Sequence, residues 1–286
     1  MVGPTVQWRV KDRLVRLPVP AVMGVLNATP DSFHTASRVD VASALRMAER
    51  MLEDGAAILD IGGASSRPGS TTVPADEEKR RVLPVIEALH RRFPEVLLSV
   101  DTWRSDVARE AVHAGAGVVN DIGAGLLDPE LPGTVAGLHV PYIAMHMQGT
   151  PATMQQAPHY TDVAAEVALF LSDRLHACRA AGLPDVVLDP GFGFGKTTAH
   201  NFTLLRELPR IVAIGAPVLV GLSRKRMVNE VLGTDPAHAG NGTTVLHTIA
   251  LLHGASMLRV HDVREAVEAV KLVRTYGIGR PAQRDR

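Results

Sequence analysis

The sequence predicts an α/β fold, a single (β/α)8 barrel of the TIM type preceded by a short β-hairpin, and three observations lead there. The chain has 286 residues, enough to bury one large core. From residue 21 onward, eight short apolar runs alternate with longer stretches of helical periodicity. Nearly every apolar run ends in or beside a polar or ionisable side chain. A doubly wound sheet would usually hold fewer strands or need a second domain, so eight units in one chain favour closure.

Residues 1–20 hold two short alternating runs, 6–10 and 14–17, about a Lys11-Asp12 turn. They predict a hairpin that plugs the bottom of the barrel and belongs to the same domain. The barrel itself is expected over 21–279. Its predicted strands, rich in Val, Ile, Leu and Met, are 21–27, 57–62, 96–101, 117–121, 140–146, 185–189, 217–222 and 256–260. Stretches such as 41–53, 75–92, 163–181 and 241–252 space their apolar residues by three and four, which gives each helix one face for the sheet and one for water. Residues 280–286, polar with one Pro, read as a disordered tail.

Composition excludes several function classes. The 30 basic side chains balance 30 acidic ones and only 4% of residues are aromatic, which argues against nucleic acid as a partner. The N-terminal stretch contains no apolar run of the kind a signal peptide or membrane span needs, so no membrane association is expected. Cys178 is the sole cysteine. A lone thiol suits a reducing compartment, and a cytoplasmic location is expected.

The strand-end residues are Asn27, Asp60, Asp101, Asn120 with Asp121, His146, Asp189, Ser223 to Lys225, Arg259 and His261. Some of them could cap helices or pair at the rim, yet a barrel gathers all its strand C-termini at one mouth. Two chemical halves are then expected in one pocket. Asp60, Asp101, Asn120 and Asp189, with Lys225, suit a flat heterocycle bearing adjacent N–H donors and a carbonyl. Arg67, Arg259 and His261, with the hydroxyls of Ser65 and Ser66, suit phosphate. The segment PGFGFGKT (190–197) imitates a phosphate loop but carries Pro190 where that motif needs glycine, and Lys196 where a dinucleotide fingerprint needs one. It is read as a tight strand-to-helix loop.

Eight motifs in order carry a family resemblance: MGVLNATPDSF (23–33), LDIGGASSRPG (59–69), SVDT (99–102), NDI (120–122), MHMQGTPATMQ (145–155), LDPGFGFGK (188–196), SRK (223–225) and RVHDV (259–263). Together they resemble the dihydropteroate synthases of bacterial folate synthesis, across about 250 residues of the chain. The resemblance implies condensation of 6-hydroxymethyl-7,8-dihydropterin diphosphate with p-aminobenzoate, giving 7,8-dihydropteroate and pyrophosphate by a dissociative substitution. It implies a pterin pocket of Asp101, Asn120, Met145, Asp189, Phe194 and Lys225, and a diphosphate site of Asn27, Ser66, Arg67, Arg259 and His261. It places p-aminobenzoate against Phe33, Ser66, Arg67, Pro68, Lys225 and Arg226. Asp101, Lys225, Arg259 and His261 become the catalytic set, with Mg²⁺ as cofactor through Asn27. It further implies a homodimer and sulfonamides as competitors.

The chain departs from the usual family pattern in its first loop (TPDSFHTASR), at Ala64 and Ser66 of the second, at Trp103-Arg104-Ser105 and at Arg226. These changes make a catalytically weakened pterin-binding paralogue the alternative reading. Folate-dependent methyltransferase barrels share a similar Asp/Asn pocket but have no need of Arg67 or of Arg259 with His261.

Overall fold

The computed structural model describes residues 4–28, 41–64 and 73–277. Phe33, Ser65, Ser66, Arg67, Pro68 and the expected tail at 280–286 lie outside the described residues.

Two strands, β1 (Thr5–Val10) and β2 (Arg13–Pro18), form an antiparallel hairpin whose turn puts Lys11 at a φ of 57°. Its apolar residues Trp8, Val10 and Leu17 join the main core. Lys11 N–H donates to the His139 carbonyl (2.7 Å) and Arg9 N–H to Asp185 Oδ2 (2.7 Å). Both acceptors precede barrel strands, so the hairpin covers the strand N-termini, as the sequence predicts.

The barrel strands are β3 (Ala21–Asn27), β4 (Ile58–Gly62), β5 (Leu97–Asp101), β6 (Val118–Asp121), β7 (Tyr142–Met145), β8 (Val186–Asp189), β9 (Leu219–Val220) and β10 (Met257–Val260). All neighbouring pairs are parallel, in the order β8-β7-β6-β5-β4-β3-β10-β9. A bridge between Leu188 and Val218, with Leu188 N–H on the Pro217 carbonyl (2.9 Å), joins the two ends. Strand seven of the barrel is shorter than the predicted 217–222.

Around the sheet run α1 (Val41–Glu53), α2 (Ala75–Arg92), α3 (Ser105–Ala114), α4 (Leu131–Leu138), α5 (Val163–Ala180), α6 (Thr198–Arg206), α7 (Leu208–Val212), α8 (Arg226–Leu232), α9 (Gly240–Leu252) and α10 (Val263–Tyr276). In α2, Val82, Val85, Ile86 and Leu89 are buried at the three-and-four spacing, while acidic residues open the helix and basic ones close it, complementing its dipole. Asp162 caps α5 by accepting N–H bonds from Ala164 and Ala165. Asp121 is absorbed by this outer layer: its carboxylate takes N–H bonds from Gly123 (2.7 Å) and Gly125 (2.6 Å) and the Tyr142 hydroxyl. Alternation along β6 thus turns Asn120 and Asp121 to opposite faces.

Candidate active site

Register places the polar strand ends in layers. Asp101 pairs across the sheet with Asn120 and with Gly62, while Asp60 pairs with Ser99, two residues deeper. Met145 pairs with Asp189, and Asn27 with Gly62. Parallel strands with a period of two send every second side chain inward, so Asp60, Asp101, Asn120 and Asp189 converge.

Arg259 ties these residues together. Its Nε donates to Asp60 Oδ2 (2.6 Å) and its Nη2 to Asp101 Oδ2 (2.6 Å), while Asn120 Nδ2 reaches the same Asp60 oxygen at 3.1 Å. Asp60 is wholly buried, and among the described residues its Oδ1 has no hydrogen-bond partner. Burial opposes the Arg259 charge, but Asp60 and Asp101 hold its pKa above the ordinary value. Burial and the neighbouring Asp60 carboxylate lift Asp101 to about 7 against the pull of Arg259. An Arg assigned from sequence to the phosphate half is therefore bonded, in this arrangement, to the carboxylates of the ring half.

Asp189 and Lys225 face one another electrostatically. Burial raises the Asp189 pKa, with Lys225 pulling it down, and burial lowers Lys225 to about 8, with Asp189 holding it up. Asp189 Oδ1 accepts the Gly191 N–H (2.7 Å). The Lys225 ammonium donates to the Phe192 carbonyl and lies 4.9 Å from the centre of the Phe194 ring. Met145 is buried beside Asp189.

His261 is exposed and accepts or donates at Nδ1 to Ser223 Oγ (3.0 Å), whose oxygen also receives the His261 N–H (3.2 Å). Arg226 pairs with Glu230 one turn along α8, with its side chain largely solvent-exposed. Arg224 forms a two-pronged pair with Asp262 (2.8 and 2.6 Å), which fixes the turn that presents Lys225.

Residues 190–197 form the tight loop that the sequence reading expects. Gly191 (φ 67°), Gly193 (φ 82°) and Gly195 (φ 62°) all take left-handed conformations. A Cβ on Gly191 would stand 1.8 Å from the His146 carbonyl oxygen, so no other residue fits. Sequence periodicity overlooked the side chains that brace this loop. Gln155 donates to the Gly193 carbonyl (2.7 Å), Tyr160 to that of Gly195 (2.8 Å), and Lys196 to those of Gly191 and Phe194. They belong to irregular segments, where no repeat marks which side chains point inward.

His247, on α9 one turn after the Thr243 hydroxyl that accepts the Arg224 N–H, is buried and lowered by burial to about 4. The folded protein keeps it neutral, so the unfolded chain binds more protons at acid pH. Its contribution to stability is complete above its ordinary value of 6.5 and is lost as pH falls toward about 4. Burial raises Glu78 and Asp121, which act in the opposite direction, so the contribution is read by difference. Relative to a His247→Leu variant, the wild type should lose urea midpoint on going from about pH 7.5 to about pH 4.5. A constant difference between the two would show that His247 binds protons alike in the native and unfolded states and that burial does not keep it neutral.

A family model described as "Pterin binding enzyme" matches residues 23–261. The dihydropteroate synthase of Escherichia coli (strain K12) is 44% identical over 257 residues, covering 89% of this chain and 90% of that one. Among solved structures, the Yersinia pestis dihydropteroate synthase in a sulfonamide drug complex superposes with a TM-score of 0.88 at 42% identity, covering 95% of this chain and 99% of the other. The Xanthomonas albilineans dihydropteroate synthase with 4-aminobenzoic acid gives a TM-score of 0.87 at 45% identity, covering 96% and 99%.

Proposed function

Because this chain belongs to the pterin binding enzyme family and acts as a dihydropteroate synthase, a transferase, we propose how its own residues divide that reaction. It joins a dihydropterin diphosphate to p-aminobenzoate and releases pyrophosphate. The observation that supports the assignment of roles is the convergence of Asp101, Asn120, Asp189, Lys225 and Arg259 at one barrel mouth.

In this proposal the outward carboxylate oxygen of Asp189 accepts adjacent N–H groups of the pterin, Lys225 donates to its carbonyl edge, and Asn120 and Asp101 hold the remaining edge. Met145 and Phe194 bound the ring faces. Departure of diphosphate leaves positive charge on the pterin methylene, which the Asp101 carboxylate steadies from the ring side. His261, with Arg67 and Ser66, receives the departing anion, and Arg259 links that side to Asp60 and Asp101. The amine of p-aminobenzoate, held near Phe33, Pro68, Lys225 and Arg226, then attacks the methylene and loses a proton.

The Mg²⁺ of the family fits Asn27. Among the described residues no cluster of three His, Cys, Asp or Glu could hold a metal ion. A neutral amide oxygen at the end of β3 suits an ion whose other ligands are diphosphate oxygens and water. When bound, the ion supplies charge neutralisation for the leaving group.

Mixing both substrates with Mg²⁺ should release one pyrophosphate per dihydropteroate formed, and a sulfonamide should raise the apparent KM for p-aminobenzoate. Pterin binding without pyrophosphate release would replace this reading with that of a weakened paralogue. We also place the enzyme in the cytoplasm, in keeping with a single buried free cysteine; among the described residues no helix is long and apolar enough to cross a membrane. Recovery in a membrane or secreted fraction would refute that location. The side-by-side helices α8, α9 and α10 expose Val231, Leu232, Val245, Leu272 and Tyr276, a surface suited to a homodimer. Sedimentation at the mass of one chain would overturn it.

A further inference from the structure

We propose that Lys196, which touches no reacting atom, is a positioning residue that sets the Asp189 carboxylate and the Phe194 ring for pterin recognition. The inference rests on the reading of Asp189 as the pterin's partner.

Five successive carbonyls of the glycine-rich loop each accept a side-chain donor. Lys196 Nζ binds those of Gly191 (2.9 Å) and Phe194 (3.0 Å), Lys225 that of Phe192, Gln155 that of Gly193 (2.7 Å) and Tyr160 that of Gly195 (2.8 Å). Alternating left-handed glycines turn the carbonyls outward toward these donors. Lys196 alone holds two of the five. Its remaining contact is His146 Nδ1 at 2.9 Å, just past the end of β7.

Only 3% of Lys196 is exposed, and its nitrogen is saturated in either protonation state. As an ammonium it gives three protons; as an amine it gives two and accepts one from the imidazole. That leaves it no bond for a phosphate, despite the Gly-Lys-Thr ending of the segment. Its influence reaches the pocket through Gly191. The residue whose carbonyl Lys196 grips is the one whose N–H holds Asp189 Oδ1 (2.7 Å), and it runs so near His146 that a Cβ there would stand 1.8 Å from the His146 carbonyl oxygen. His146 N–H in turn donates to the Asp189 carbonyl (2.9 Å). Lys196, His146, Gly191 and Asp189 thus form one bonded unit beneath the pterin position.

Specificity follows from the same accounting of bonds. With each loop carbonyl from 191 to 195 already holding a side-chain donor, the charged acceptor this wall offers a flat ring is the Asp189 carboxylate. Releasing the Lys196 bonds would free the Phe194 carbonyl, leave that of Gly191 with the Phe194 N–H (3.1 Å) as its remaining donor, and let the carboxylate swing, blunting the demand for two adjacent N–H donors.

The test uses the full-length enzyme and an unphosphorylated hydroxymethyl pterin in calorimetric titrations, with steady-state kinetics alongside. Lys196→Met should weaken pterin binding about thirty-fold, and His146→Phe, which removes one arm only, about three-fold. The KM for p-aminobenzoate at saturating pterin substrate should stay within about two-fold in both. Should Lys196→Met not fold, His146→Phe carries the test. Unchanged pterin affinity in the folded variants, beside a loss in Asp189→Asn, would overturn the proposal. Equal losses for both substrates would also overturn it, since general loosening of the barrel would then explain them. Retained affinity in Asp189→Asn would instead remove the pocket assignment on which the proposal stands.

Discussion

Asp189→Asn should cost about 2 to 4 kcal/mol of pterin affinity, roughly thirty- to several-hundred-fold in Kd, while leaving the barrel folded. The reason is local. The carboxylate accepts the Gly191 N–H on one oxygen, and in the proposed pocket the other serves the ligand. An amide in the same place accepts at one end only and presents N–H₂ at the other. If its oxygen stays on Gly191, its donors face the ligand's donors; if it turns, Gly191 loses its partner in a buried site. Both orientations leave an unmet buried group. A calorimetric titration with a hydroxymethyl pterin, paired with a thermal scan, measures the effect, and a Kd equal to the wild type's would remove Asp189 from the pocket.

The second large effect is expected at Arg259. Arg259→Met keeps the apolar stem but leaves Asp60, fully buried, and Asp101 without their shared cation. Breaking such a pair costs about 3 to 5 kcal/mol when burial is complete. Here the guanidinium side chain is 22% exposed and that of Asp101 12%, and Asp101 can take up a proton, so about 2 to 4 kcal/mol of stability is expected at neutral pH. Protonation relieves the repulsion, so the deficit should shrink as pH falls from about 7.5 to about 5.5. Urea unfolding of both proteins at the two pH values is the measurement. An undiminished deficit at the lower pH would mean that stranded carboxylates are not its cause. Arg259→Met should also weaken unphosphorylated pterin, because Asp101 loses its fixed orientation. His261→Ala, whose side chain bonds Ser223, should spare that ligand and weaken only the diphosphate-bearing one.

The expectation about Arg259 shows where sequence reading reaches its limit. Its side chain type, a cation after an apolar strand, suited phosphate, and nothing in the spacing tells that it spans from β10 to β4 and β5. Those strands lie far apart along the chain and become neighbours across the barrel only through β3. The same holds for Lys196. In sequence it completes a deceptive phosphate-loop ending; in the fold it is buried beneath the loop with its nitrogen fully bonded.

The amino-acid sequence by itself determined the architecture, because eight apolar runs separated by amphipathic stretches can bury their surfaces in few ways, and each strand and helix announces itself within its own residues. It also marked the polar residues at strand ends, since that position is a local property once the barrel is given, but not which of two neighbours turns inward, as Asn120 and Asp121 show. Tertiary structure alone decided how those residues are partnered: Arg259 with Asp60 and Asp101, Asp121 with Tyr142, Lys196 with His146. Partner choice turns on distances of a few tenths of an ångström between side chains from separate strands, set by register, by alternation of faces and by left-handed glycines. Hydrogen bonds and ion pairs fall off steeply over such distances, so the chemistry of the pocket depends on contacts that local sequence patterns do not encode.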